Sequence, residues 1–256
     1  MRSARASRSN INPVESFGPV AAFYDELMDS VPYRMWSSYY LLLLAQQDVH
    51  PKKILEVCCG TGTMCELLFD EGFVMSGFDL SPTMIAKARE KAEMYGWPIR
   101  YEVADAAEFD MGETFDAAFS FFDSLNYITD VSRLQMAFQR VAEHLPSGGS
   151  WIFDLNTQYA FDNRMFDQEN LKKKAPVRYK WVGEWDPETR LIHVNMKFWH
   201  QGEESTEVHV QRAHEDEEVR DMLRVAGFIQ VRRFHSYTLN PARYASDRVH
   251  YTCIKA

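Results

Sequence analysis

Short apolar runs alternate with amphipathic stretches through much of the chain. The runs cover Ile54 to Val57, Phe73 to Phe78, Ile99 to Val103, Ala117 to Phe122 and Ser150 to Leu155, each short and strand-like. Between them, Met64 to Glu71, Pro82 to Tyr95 and Val131 to Leu145 carry their apolar residues at helical spacing. Strand and helix alternating at this interval predict right-handed crossovers and a parallel sheet covered on both faces. Upstream, "VAAFYDELMDSVPYRMWSSYYLLLLAQQ" reads as two helices broken at Pro32, with Asp29 and Ser30 as stop signals.

The pattern then changes. From Val177 to Arg212 the sequence reads as three strands with turns at "DPET" and "QGEES", and period-2 alternation is clearest in "RLIHVNMKFW". Sequential, turn-linked strands are antiparallel, because parallel pairs need long crossovers. A helix from Asp216 to Ala226 stops at Gly227, and two strands follow near Phe228 to Thr238 and Arg248 to Lys255. The expected fold is α/β: a seven-stranded, mostly parallel sheet with helices on both faces, plus an antiparallel β cap inserted after the fifth strand.

Composition narrows the function. The 256 residues, 46% of them hydrophobic, suit one globular domain or one domain with a sizeable insertion. A net charge of -9 repels phosphate backbones, and no basic stripe interleaved with aromatics appears, so nucleic acid is not an expected partner. Cys58, Cys59, Cys65 and Cys253 lack any paired C-x-x-C arrangement, which predicts neither a disulfide framework nor a metal site and suits a reducing, cytoplasmic compartment. The longest apolar run, "YYLLLLA" from Tyr39 to Ala45, is far short of the roughly 20 residues that span a bilayer and reads as a core helix. The N-terminal "MRSARASRSN" has no apolar h-region and reads as a disordered tail rather than a secretory signal.

The chemistry is concentrated in "KILEVCCGTGTM", Lys53 to Met64, where an apolar run holding Glu56 leads into a glycine-rich turn at Gly60 and Gly62. Such a turn between strand and helix lets backbone approach a ligand at a helix N-terminus. No G-x-x-x-x-G-K-[ST] surrounds Gly60, which excludes a P-loop, and Cys65 stands where a dinucleotide fingerprint needs Gly or Ala. Glu56 within the first strand, Asp79 ending the second and Asp105 ending the third all fall at one edge of a parallel sheet, where ligands of open α/β folds bind. Asp79 is spaced to take a ribose diol, Asp105 can meet an adenine amine, and Glu56 can orient an ammonium group through backbone or water. Singly, Asp79 or Asp105 reads equally as a helix cap or loop acid; together and in order, the acids match S-adenosylmethionine better than a dinucleotide.

At these residues the chain resembles the class I S-adenosylmethionine-dependent methyltransferases. "LEVCCGTG", "GFDLSPTMIAKARE" and "VADAAEF" are similar to their first three motifs, "FDAAFSFFDSLNYI" to the fourth-strand segment, and "LPSGGSWIFDLN" to the turn and fifth strand. Within the family it looks most like small-molecule enzymes with an N-terminal Tyr-Asp pair, here Tyr24 and Asp25, and an antiparallel cap. The resemblance implies a Rossmann-like domain for S-adenosylmethionine over 51–158 and 214–256, a helical lid over 16–50 and a cap for the acceptor over 159–213, while composition sets a disordered tail over 1–15. It implies cofactor contacts from Tyr24, Trp36, Glu56, Cys58, Gly60, Gly62, Asp79, Leu80, Met84, Asp105, Ala106 and Phe121, with Cys58 departing from the family's first glycine. Tyr24, Asn126, Tyr127 and His209 are the candidate catalytic residues. Core packing competes for Tyr24, Tyr33, Trp36 and Met84, and a solvated strand face for Glu207, His209 and Gln211.

The expected activity is methyl transfer to N or O of a small-molecule acceptor by a monomer or homodimer. The "FDSL" after the fourth strand, in place of a D/N-P-P-Y tetrapeptide, argues against planar-amide and adenine-amine methylation. A protein or nucleic-acid methyltransferase and a non-catalytic S-adenosylmethionine-binding module are the alternatives.

Overall fold

The computed structural model describes residues 17–256, so the expected disordered tail over 1–15 lies outside the described residues. A 3-10 turn, Val20–Phe23, runs into a single helical turn α1 (Tyr24–Leu27), and α2 (Tyr33–Gln46) starts directly after Pro32, the expected break. Then come β1 (Lys53–Val57), α3 (Thr63–Asp70), β2 (Val74–Asp79), α4 (Pro82–Tyr95), β3 (Arg100–Val103), β4 (Ala117–Ser120), α5 (Val131–Glu143) and β5 (Ser150–Asn156). A short α6 (Gln158–Asp162) leads to β6 (Gln168–Asn170), β7 (Val177–Asp186), β8 (Leu191–His200) and β9 (Glu203–Arg212), and α7 (Asp216–Val225), β10 (Phe228–His235) and β11 (Arg248–Lys255) close the chain.

Local chemistry sets these boundaries. The Ser81 hydroxyl accepts from the Met84 N–H ahead of Pro82 at the first turn of α4, and Gly96 ends that helix in a left-handed conformation. Asp130 accepts from the Ser132 and Arg133 N–H groups at the start of α5.

The seven-stranded sheet has the order β10-β11-β5-β4-β1-β2-β3, parallel throughout β1 to β5, with β11 antiparallel to β5. Successive side chains point to opposite faces. Leu55 and Val57 therefore join Phe138, Trp151 and Leu223 under α5 and α7, while Ile54 joins Tyr40, Leu68 and Ile85 under α2, α3 and α4. By the same parity Glu56 falls on the face of Ile54. The strand order reverses between β1 and β4, which opens a crevice beyond their C-terminal ends.

The antiparallel β6-β7-β8-β9 sheet is the expected cap with one strand more. The three-residue β6, "QEN", has no apolar alternation to reveal it, and α6 is too short for a helical period. Cap residues Val177, Ile192, Val194 and Phe198 pack on Val20, Ala21 and Phe23. Thus the cap and the N-terminal segment share a core over the crevice. Among the described residues no helix is long and apolar enough to cross a membrane, and no three His, Cys, Asp or Glu gather as a metal site.

Candidate active site

One cavity of about 1120 Å³ runs from the C-terminal ends of β1, β2 and β4 to the inner side of the cap. Its floor is the turn after β1. Gly60 holds φ +54 with nothing within 4 Å of the space a Cβ would take, so backbone freedom, not crowding, requires glycine there. Gly62 differs from expectation: it is not on the cavity wall, and a Cβ there would collide with the Tyr101 hydroxyl. Its role is to pack Tyr101 and begin α3. Cys58, where the resembled family has glycine, adopts φ 61, a left-handed conformation that costs a side-chain-bearing residue about 1 kcal/mol or more. Burial pushes its thiol well above the ordinary range, so it is no nucleophile.

Three acids stand around this floor. The Glu56 side chain is 6% exposed and its Oε2 has no hydrogen-bond partner. Burial pushes its pKa up to about 8, against the lowering effect of hydrogen bonds from the Cys65 side chain and backbone and with smaller raising contributions from Asp79 and Glu66. Asp79 is fixed from both sides, Oδ2 accepting from the Gly60 N–H at 2.9 Å and Oδ1 from the Ser81 N–H at 2.9 Å. Burial raises its pKa as well, against the lowering effect of those N–H groups. Asp105 is more committed than expected, with Oδ1 accepting from the Ala107 N–H at 2.8 Å and Oδ2 from Arg133 at 2.7 Å. Leu80, Met84, Ala106 and Phe121 line the same wall. Met84 also packs in the core with Val20, as its core reading expects. Trp36 does not line the cavity: it stacks on Tyr237 at 5.1 Å and meets Phe122 edge-on at 4.2 Å, held there by aromatic packing.

The N-terminal segment covers the turn. Tyr24 and Tyr33 line the cavity with their phenols paired, and the Tyr24 pKa is raised by burial first and then by Asp123, Asp79 and Asp25. Asp25 accepts from Thr61 at 2.6 Å and faces Lys91 at 3.0 Å, tying α1 to the glycine turn. At the other end, Glu207 of β9 accepts from the Phe17 and Val20 N–H groups at 3.1 and 3.0 Å.

On the cap side, His209 is 1% exposed with both ring nitrogens engaged, Nε2 to Glu207 at 2.7 Å and Nδ1 to the Tyr127 hydroxyl at 2.9 Å. An ionised Glu207 can only accept, so Nε2 carries the proton and the Nδ1 lone pair receives the Tyr127 O–H. The competing reading of Glu207, His209 and Gln211 as a solvated face fails, since all three are buried.

Asn126 does not reach the cavity. Its Nδ2 donates to the Asn156 and Arg212 carbonyls at 3.0 and 2.8 Å and its Oδ1 accepts from the Asn156 N–H at 2.9 Å, clamping the ends of β5 and β9. Asn126→Ala leaves those buried groups unpaired and should cost about 2–4 kcal/mol of stability, since each orphaned partner costs roughly 1–3 kcal/mol. Denaturant unfolding should show that loss while the folded variant keeps its cofactor affinity.

A further cluster went unread in the sequence. Asp154 accepts from the Phe122 and Asp123 N–H groups at 3.0 and 2.6 Å, holding two successive left-handed residues at φ 72 and 51. Arg248 bridges Asp123 and Asp154 at 2.7 Å each, and Gln211 donates to Asp123 at 2.6 Å. The signal was present: Asp154 is an acid inside the apolar run "WIFDL", as Glu56 is inside its own.

Known proteins share this architecture. A methyltransferase-domain family matches residues 54–149. The protein named "Putative methyltransferase GWCH70_2453" from Geobacillus sp. (strain WCH70) is 30% identical over 94% of this chain and 99% of its own length. A crystal structure of an S-adenosylmethionine-dependent methyltransferase from Clostridium acetobutylicum ATCC 824 superposes with a TM-score of 0.82 at 24% identity, covering 94% of this chain and 99% of that one. A dTDP-3-amino-3,4,6-trideoxy-alpha-D-glucopyranose N,N-dimethyltransferase from Streptomyces venezuelae is 31% identical over 42% of this chain and 44% of its own length. With the acids and glycine turn that its sequence motifs announce set around one cavity, this chain belongs to the class I S-adenosylmethionine-dependent methyltransferases.

Proposed function

We propose that the chain methylates nitrogen or oxygen of a small molecule enclosed between the cofactor and the cap. The observation that carries this reading is the single cavity reaching from Glu56 and Asp79 to His209 and Trp181. Its volume, about 1120 Å³, exceeds the roughly 300–1,000 Å³ of ordinary ligand pockets, room for a nucleoside cofactor and an acceptor together. The fit to S-adenosylmethionine rests on the unpartnered, buried Glu56 Oε2, a ready acceptor for an ammonium, and on the two Asp79 oxygens, whose remaining lone pairs suit a diol. Asp105 with Ala106 and Leu80 would border the adenine. S-adenosylmethionine supplies an electrophilic methyl on a sulfonium.

The residues around that methyl orient the acceptor and exclude water. Tyr24 offers an aromatic wall suited to a cation, and Asp25, Thr61 and Glu207 hold it closed over the turn. Tyr127 and His209 form a proton path, in which a proton reaching the Tyr127 oxygen displaces its own to Nδ1 and leaves an imidazolium beside Glu207. The dimethyltransferase named above, whose acceptor is a dTDP-linked amino sugar, supports a small molecule over a polymer, as does a lid hydrogen-bonded to the cap.

The test is a mass-spectrometric screen of amines, amino sugars, phenols and carboxylates with labelled donor. Transfer to a small molecule supports the reading; transfer only to protein or nucleic acid refutes it. With an acceptor in hand, His209→Asn should lower kcat roughly 10²-fold or more, the usual size of acid–base assistance, without changing cofactor affinity.

A further inference from the structure

Resting on that reading, we infer that the acceptor is an unphosphorylated amine that carries an uncharged oxygen about 10 Å from its nitrogen. Among the described residues, Arg133 and Arg248 are the only arginine or lysine side chains on the cavity wall, and both are already matched. Arg133 faces Asp105 and Glu108 at 2.7 and 3.2 Å, and Arg248 faces Asp123 and Asp154 at 2.7 Å each. The same wall holds six acids, Glu56, Asp79, Asp105, Asp123, Asp130 and Asp247. A phosphate or diphosphate drawn from water into this chamber would find no unpaired arginine or lysine among the described residues, only the imidazoles of His193 and His209, and an unpaired buried charge is costly. A protonated amine would be attracted instead.

Two unpartnered polar atoms on the cap complete the description. Gln211 is 2% exposed and lines the cavity with its Oε1 unpaired, while its amide N–H groups are spent on Asp123 and Tyr127. Trp181 also lines the cavity, and its buried indole N–H has no acceptor. The strand register sets Trp181 opposite Met196, and Met196 opposite Glu207. Trp181 therefore stands two strands, roughly 10 Å, across from Glu207 and, because Gln211 lies four residues further along β9, roughly 16 Å from Gln211; two hydrogen bonds of about 3 Å leave about 10 Å between the acceptor's nitrogen and its oxygen. Met196 stands in the wall between them, and Phe198 lies beside Trp181 on the side away from Gln211. Gln211 Oε1 accepts an N–H of the amine; Trp181 donates to a hydroxyl, ether or carbonyl oxygen at the far end.

The chemistry balances. The ammonium gives its proton to the Tyr127 oxygen as the Tyr127 proton passes to His209 Nδ1. The freed nitrogen lone pair forms the C–N bond while the S–C pair stays on sulfur. This leaves a methylated ammonium, a neutral thioether and an imidazolium that returns its proton to solvent.

The experiment titrates the full chain, saturated with S-adenosylhomocysteine, with 6-phenoxyhexylamine, 6-phenoxyhexanoate, 6-phenoxyhexyl phosphate and dTDP by calorimetry. The amine should bind at least tenfold tighter than the carboxylate, with no detectable binding of the phosphate or dTDP. Trp181→Phe should weaken amine binding roughly fivefold, the usual loss for one neutral hydrogen bond, with unchanged S-adenosylhomocysteine affinity. Phosphate or dTDP binding comparable to the amine's, or an amine no tighter than the carboxylate, overturns the inference. Equal amine affinity in Trp181→Phe overturns the oxygen contact. Failure of S-adenosylhomocysteine to bind at all strikes the methyltransferase reading first, and is seen before any probe is added.

Discussion

Glu56→Gln is expected to make the cofactor-free protein more stable at pH 8 and, at the same pH, to weaken its hold on S-adenosylmethionine. Glu56 is buried without a partner for Oε2, and its folded pKa of about 8 lies well above the ordinary value of 4.5. The folded state thus holds a proton that the unfolded state releases. A raised folded pKa contributes stability that is complete below about pH 4.5 and is lost as pH rises through about 8. At about 1.4 kcal/mol per pKa unit, the loss is on the order of 4 kcal/mol. Gln is isosteric and does not titrate, so its unfolding free energy should lack this decline. The cofactor's ammonium should reverse the preference by favouring the carboxylate. Wild-type affinity should then rise about tenfold per pH unit below pH 8, with close to one proton released per cofactor bound at pH 7. In Glu56→Gln that slope should vanish, and affinity at pH 8 should fall roughly 10- to 150-fold, the worth of one charge-assisted hydrogen bond. Denaturant melts at pH 5 and 8, and calorimetry in two buffers, measure both. Identical pH slopes in wild type and variant would remove Glu56 from the ammonium.

Asp79→Ala should weaken the cofactor more. Its two oxygens are aimed by the Gly60 and Ser81 N–H groups, so each can meet one ribose hydroxyl without further ordering. Two charge-assisted hydrogen bonds at about 1.5–3 kcal/mol each imply a loss of roughly 10²- to 10⁴-fold in affinity. The same substitution strands the Gly60 N–H and frees the turn that forms the cavity floor, which pushes the effect in the same direction. Asp79→Asn retains a side-chain acceptor and should fall between wild type and Ala. Calorimetry with S-adenosylhomocysteine separates the three, and equal affinities would contradict the ribose assignment.

How much was legible follows from the range of each signal. The seven-stranded sheet and its edge were readable because buried parallel strands are continuous apolar runs, and Glu56, Asp79 and Asp105 interrupt or end such runs. The glycine turn was half readable: Gly60 serves backbone freedom as its spacing implied, but Gly62 answers to Tyr101, a contact between residues far apart in sequence. Tyr127 and His209 were legible as candidate residues but not as partners of each other, since β9 and the turn after β4 meet only in three dimensions. Asn126 and Trp36 carry the residue types of a site, yet one is spent on backbone and the other on an aromatic stack. The strained Phe122 and Asp123 turn had no local mark, because the Asp154 carboxylate that holds it comes from β5.

A crystal structure of the chain with S-adenosylhomocysteine bound tests the central claim most directly. The account predicts both ribose hydroxyls on the Asp79 carboxylate, the amino group within hydrogen-bond reach of Glu56, the adenine between Leu80 and Ala106, and the sulfur facing Tyr24 and Tyr127. A nucleoside placed toward the cap, or an amino-acid end that avoids Glu56, would contradict it.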